Sequence, residues 1–190
     1  MIRSIFFMVA MIFTQQVMAE WALVNHKSYL NFITTKNGEK TEVHKFSNIN
    51  SSISQQGNVV LTIDLASVET HIPIRNKRIR EMFFQVNQYP KAEISFKLNE
   101  KQLQSLEEVG LNVFEVTAKC NLHGIQKDVS AQIRVAVLPD NEVLVTTVKP
   151  IIFSISDYGL LDGLNKLREV AKLKSITPSV PVTLNLVYKK

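Results

Sequence analysis

Apolar and polar residues alternate along most of this chain. From Val59 to Leu65, Val59, Leu61, Ile63 and Leu65 alternate with Val60, Thr62 and Asp64, the period of two of a half-buried strand. From Arg75 to Val86 the period lengthens. Ile79, Met82, Phe83 and Val86 recur at three- and four-residue steps with charges between them, which predicts a short amphipathic helix. Tyr89-Pro90 ends it, because proline disfavours helical geometry in the residue before it. Ile94, Phe96 and Leu98 then restore the period of two over Ala92 to Leu98. The clearest strand puts Phe114, Val116, Ala118, Cys120 and Leu122 on one face, and the next puts Val129, Ala131, Ile133, Val135 and Val137 inward. The chain closes on a strand with Val182, Leu184, Leu186 and Tyr188 inward.

Three further strands are less regular. Ala22 to Thr35 predicts a strand with a kink near His26-Lys27, followed by Asn37-Gly38, a strong hairpin signal. Thr41 to Ser54 is polar and changes parity, which a bulge near Phe46 to Asn48 accounts for. Gln56-Gly57-Asn58 and Pro139-Asp140-Asn141 read as turns, the latter opening a strand from Glu142 to about Ile155. Leu160, Leu164, Leu167 and Ala171 share a face of a second helix over Leu160 to Leu173. The expectation is a mainly β chain: an eight-stranded antiparallel barrel with two short helices. Closing the sheet removes exposed edges, and eight strands leave room for one small ligand.

The first 19 residues are a different object. Arg3 is their only charge, Ile5 to Phe13 is almost continuously apolar, and Val17-Met18-Ala19 ends on a small residue. The apolar run is too short to span a bilayer, so residues 1–19 read as a cleaved secretory signal rather than an uncleaved anchor. Residues 20–190 then form one domain beginning at Glu20, with a periplasmic location expected. Val17-Met18-Ala19-Glu20 lacks the cysteine that a lipoprotein uses for its anchor. Losing Arg3 lowers the net charge from +5 to +4. The charges are interspersed; they allow transient contact with a membrane surface, and no basic stripe interleaved with aromatics suggests nucleic acid. With Cys120 as the sole cysteine, no internal disulfide forms, and stability must come from the core.

Signals for catalysis are sparse. The chain contains no G-x-S-x-G elbow, no H-E-x-x-H and no phosphate-binding glycine loop; its six glycines read as turn residues. His26 and His44 would face each other across the first hairpin and form half a metal site. Two unrelated histidines are the favoured reading, because such a site needs a third ligand and supporting partners. No metal and no cofactor is expected from these residues. Cys120, between Ala118 and Leu122 on the apolar face, reads as an inert buried thiol. Arg75, Lys77, Arg78 and Arg80 make the first helix basic, either as a solvated face or as a contact for an anionic head group.

Three segments carry a family resemblance. Ser67-Val68-Glu69-Thr70 before the Arg-rich helix and Tyr89-Pro90, the turn Leu122-His123-Gly124-Ile125-Gln126-Lys127, and Ser156-Asp157-Tyr158-Gly159-Leu160 follow one another as in the YceI-like family of lipid- and polyisoprenoid-binding proteins. The resemblance covers nearly all of the chain after the leader. It implies a lipocalin-like barrel with a long apolar pore and a carrier, not an enzyme, holding a polyisoprenoid, isoprenoid quinone or fatty amphiphile. The pore would be lined by Leu61 and Ile63, by Phe83, by Phe96, by Val116, Ala118 and Cys120, by Ala131, Ile133 and Val135, and by Leu184 and Leu186. Arg75 and Arg80 match basic positions of the motif and are the candidate head-group contacts; Asn76 stands where the family often has an acidic residue. Members usually carry a larger aliphatic side chain at Cys120, so the pore is expected to be wider there. The rivals are an enzyme acting on such a lipid, with His71 or His123 as acid or base, and a barrel packed solid with side chains.

Overall fold

The computed structural model describes residues 19–190. The predicted leader lies outside the described residues except for Ala19, the first residue of β1 (Ala19–Leu23). β1 and β2 (Tyr29–Lys36) are one long strand broken by a single 3-10 turn at Asn25–Lys27, where the kink was expected. β3 (Lys40–Phe46) and β4 (Ile49–Ser54) are likewise one strand, bent at Ser47-Asn48. The bend is pinned from outside the ladder: both backbone N–H groups donate to Ser67, one to its carbonyl and one to its hydroxyl, at 3.0 Å. β5 (Asn58–Asp64) leads into the two-residue β6 (Val68–Glu69) and then α1 (Pro73–Arg78). β7 (Lys91–Lys97), α2 (Glu100–Gln104), β8 (Leu111–Leu122) and β9 (Ile125–Leu138) follow. β10 (Glu142–Thr147) and β11 (Ile151–Ser154) make the seventh long strand in two pieces, and α3 (Leu161–Val170) precedes β12 (Ser179–Lys189).

Sheet order is β1-β4-β5-β7-β8-β9-β10-β12, and β12 pairs back onto β1 with Ala22 opposite Lys189 and Leu23 opposite Tyr188. Every neighbour is antiparallel, and β2–β3 extend the same ring past the bends, with Val182 of β12 opposite Phe32. The result is the expected closed barrel of eight strands in up-and-down order. The hairpin from β8 to β9 turns on His123 and Gly124, both at positive φ (55° and 77°), the geometry of a two-residue hairpin turn. Tyr89 packs on that turn, 4.1 Å from the His123 ring, so two of the sequence motifs touch.

Helices differ from expectation in three ways. α2 was not anticipated; it is capped by Asn99, whose side chain accepts from Gln102 N–H while the Gln102 side chain accepts from Asn99 N–H, each at 2.9 Å. The first predicted helix is α-helical only to Arg78 and then widens into a π turn over Ile79–Phe84, closed by Gln85 at φ 51°. Finally, Gly163 is not a turn residue. It lies in α3, where an added Cβ would meet Met82 O at 2.8 Å and Phe83 Cα at 2.9 Å, so only hydrogen lets α3 seat on the widened turn. Gly163→Ala is expected to lower stability by about 1 kcal/mol, the cost of overpacking being partly offset by the better helix propensity of alanine. Chemical denaturation of the two proteins measures it, and an unchanged or raised midpoint would show that the contact gives way freely.

Candidate ligand-binding site

The inward faces of the strands do not fill the barrel. An inner chamber of about 190 Å³ runs between them, lined almost entirely by carbon. Leu61 and Ile63 of β5, Phe96 of β7, Val116, Ala118 and Cys120 of β8, Ala131 and Ile133 of β9, and Leu184 and Leu186 of β12 all face it. Val135, 2% exposed, packs into the core around the chamber. At one end Tyr188 donates to Ser51 Oγ at 2.7 Å, and Ser51 donates to the Val60 carbonyl at 2.7 Å. Burial, partly opposed by that bond, pushes the Tyr188 phenol up to about 12.

A second, outer chamber of about 280 Å³ lies between the β2–β3 hairpin, α1 with its widened turn, and α3. Phe32, Phe84, Ile155 and Val180 line both chambers, so the two adjoin and share a wall. Phe83 faces the outer chamber, its ring 4.8 Å from that of Phe84. Leu164, Leu167 and Ala171, three of the residues read as one face of the second helix, line it as well. The hairpin that walls it grades from apolar to polar toward its tip. Leu30, Phe32, Thr34 and Lys36 share one face of β2, and Phe46, His44 and Glu42 lie opposite the first three.

Arg75 is drawn into this wall. It donates to Thr70 Oγ1 (2.8 Å), to the Thr70 carbonyl and to Glu42 Oε2 (2.7 Å), and Glu42 also accepts from Lys36. The Lys36 hydrogen bond first, and Arg75 next, hold the Glu42 carboxyl down to about 2 against the opposing effect of burial. Asn76 is tied into the same segment: Oδ1 accepts from Thr70 N–H (2.9 Å) and the Thr70 hydroxyl, as a carboxylate would, and its amide N–H donates to Glu69 Oε1 (3.1 Å). Arg80 lies elsewhere, in a shallow groove with Glu69, His71, Pro73 and Asn76.

The histidines do not assemble. His26 sits in the turn before β2, His44 packs tilted against Phe32 with ring centres 5.2 Å apart, and no group of three metal-ligating side chains occurs among the described residues. His71 and His123 are both at positive φ and line neither chamber. Cys120 is 2% exposed, and burial pushes its thiol up, with a hydrogen bond to Tyr158 opposing. A bulky maleimide should therefore label native protein slowly and denatured protein quickly; fast native labelling would mean the thiol is reached from solvent.

Sequence reasoning missed Phe84 and Phe32, and weighed His44 only as half of a metal site, not as part of a chamber wall. Period two over β3 would have paired His44 with Phe46, but the strand's polar composition hid its inner face. A model of the YceI-like domain matches residues 21–188. Among solved structures, a polyisoprenoid-binding domain from Saccharophagus degradans, implicated in plant cell wall breakdown, is 30% identical. The match covers 90% of this chain and 99% of that one, with a TM-score of 0.86. BcnA of Burkholderia cenocepacia is 18% identical over 87% of this chain and 98% of its own, with a TM-score of 0.68. A Campylobacter jejuni YceI protein is 13% identical over 99% and 94%, with a TM-score of 0.56. The last two speak for the fold alone. No curated protein matches the chain.

Proposed function

This chain belongs to the YceI-like family, and from that premise we propose that it is an exported carrier that holds a long apolar molecule in its barrel. The ligand class is a polyisoprenoid, an isoprenoid quinone or a fatty amphiphile. The observation that carries this is the pair of adjoining chambers, apolar at the inner end and opening beneath two helices. The polyisoprenoid-binding relative supports the choice of ligand class. Burying the five carbons of one isoprene unit contributes up to about 4 kcal/mol before ordering costs, so a few units suffice without a charged anchor. Organic extraction of purified protein followed by mass spectrometry tests it. A stoichiometric long-chain lipid is the expected result, and repeated absence of any apolar ligand, with none bound on reconstitution, would sink the carrier.

Export is part of the same proposal and rests on the leader composition. The periplasmic protein should begin at Glu20 and come into solution without detergent. N-terminal sequencing that finds Met1 or Ile2 on exported protein would overturn it.

A further inference from the structure

We propose that the polar corner of the outer chamber is a head-group site for an anionic oxyacid, a carboxylate or phosphate, carried on the end of the apolar ligand. The inference rests on the carrier reading above and adds what the ligand's other end must be.

Four side chains define the corner: Thr34, Lys36 and His44 from the β2–β3 hairpin and Arg78 from α1, with Arg75 alongside. His44 is the least expected of them. It is 4% exposed, its Nε2 lies 2.9 Å from Thr34 Oγ1, and its buried Nδ1 has no hydrogen-bond partner among the described residues. A buried polar atom without a partner is costly, and a native structure holds few of them. With the Thr34 hydroxyl donating to Nε2, Nδ1 carries the proton and is a donor without a partner beside the chamber that His44 lines.

Charge decides the sign of that partner. Lys36, Arg75 and Arg78 bring three cations, and Glu42, shared by Lys36 and Arg75, is the one carboxylate that pairs with any of them among the described residues. Arg78 is half-buried and has no carboxylate in ion-pair range among the described residues. A half-enclosed corner with excess cations and donors suits an oxyanion, since charge-assisted hydrogen bonds are the strong ones. Position agrees with this. Phe32, its ring 5.2 Å from that of His44, lines both chambers, so the corner lies beside the wall shared with the inner chamber, where an apolar tail would be housed.

Three probes with the same tail test it: dodecanoate, dodecyl phosphate and dodecanol, displacing the neutral dye N-phenyl-1-naphthylamine from delipidated protein. At least one anion should bind about tenfold or more tighter than dodecanol, a difference of about 1.4 kcal/mol. Arg78→Gln should remove most of that preference, leave dodecanol within about twofold and leave the denaturation midpoint in place. The stronger of the two anions identifies the source, lipid carboxylate or lipid phosphate. The His44 ring nitrogen resonances should shift with that anion and not with dodecanol. Equal binding of alcohol and anions overturns the head-group site while leaving the carrier standing. An Arg78→Gln protein that loses all three probes alike, or keeps its anion preference, also overturns it. Binding of no probe overturns both.

Discussion

Ile133→Trp should strip the purified protein of most of its bound lipid while leaving its denaturation midpoint close to that of the parent. Ile133 of β9 faces the inner chamber at 6% exposure, paired with Phe114 on neighbouring β8, and an indole at that position projects into the space a ligand would occupy. Where a core is solid, an added ring forces neighbours off their rotamers at about 1–3 kcal/mol or more. Where the space is a channel, the ring displaces ligand and the strands need not move. Arg134, one residue on, is exposed on the opposite face, so Arg134→Gln should leave the lipid load unchanged. Lipid per protein and denaturation midpoint are measured on both variants. A large fall in midpoint for Ile133→Trp, with no lipid recovered even from the parent, would mean that the barrel is packed.

The contrast between those two outcomes marks what the sequence could tell. The strands were legible because one face of each is buried, and a period of two survives even where the backbone breaks. The parity slip in Thr41 to Ser54 and the kink at His26-Lys27 both correspond to real bends, at Ser47-Asn48 and Asn25–Lys27. The same stripe serves a filled core and a lined chamber equally, so the cavity itself was not legible without the resemblance. Phe84 was hidden because the helix widens at Ile79: a 3.6-residue wheel puts Ile79, Phe83 and Val86 inward, as found, and leaves Phe84 off that face. α2 is too short for any period, and only its Asn99-to-Gln102 spacing signals it. The polar wall of the outer chamber was hidden for a different reason. Its inner face mixes Phe32, Thr34 and Lys36, and Arg75, which pairs with Glu42 of the same hairpin, comes from another element more than thirty residues on in the chain.

That wall should also set how the fold responds to acid. Burial first, and the nearby Arg75 cation second, lower the His44 imidazole from 6.5 to about 4, with Lys36 and His71 adding to the effect and Glu42 opposing it. The folded protein thus keeps His44 neutral over a range in which the unfolded chain takes up a proton. Protons favour the state that binds more of them, so this group makes stability fall as pH drops from about 6.5 to about 4. Two and a half pKa units correspond to roughly 3 kcal/mol at most. Glu42 acts in a lower window. Its carboxyl titrates near 4.5 when unfolded and near 2 when folded, so its contribution is present above 4.5 and is lost only as pH falls from there toward 2. His44→Gln separates the two, because an amide can keep the Thr34 hydrogen bond and does not titrate. Urea denaturation of delipidated protein should show the parent losing roughly 2–3 kcal/mol between pH 6.5 and 4 more than the variant does. Well below about 4 the two should fall in parallel, since Glu42 is unchanged. If the variant keeps the full slope above 4.5, the protons are bound elsewhere and His44 is not held neutral by its burial.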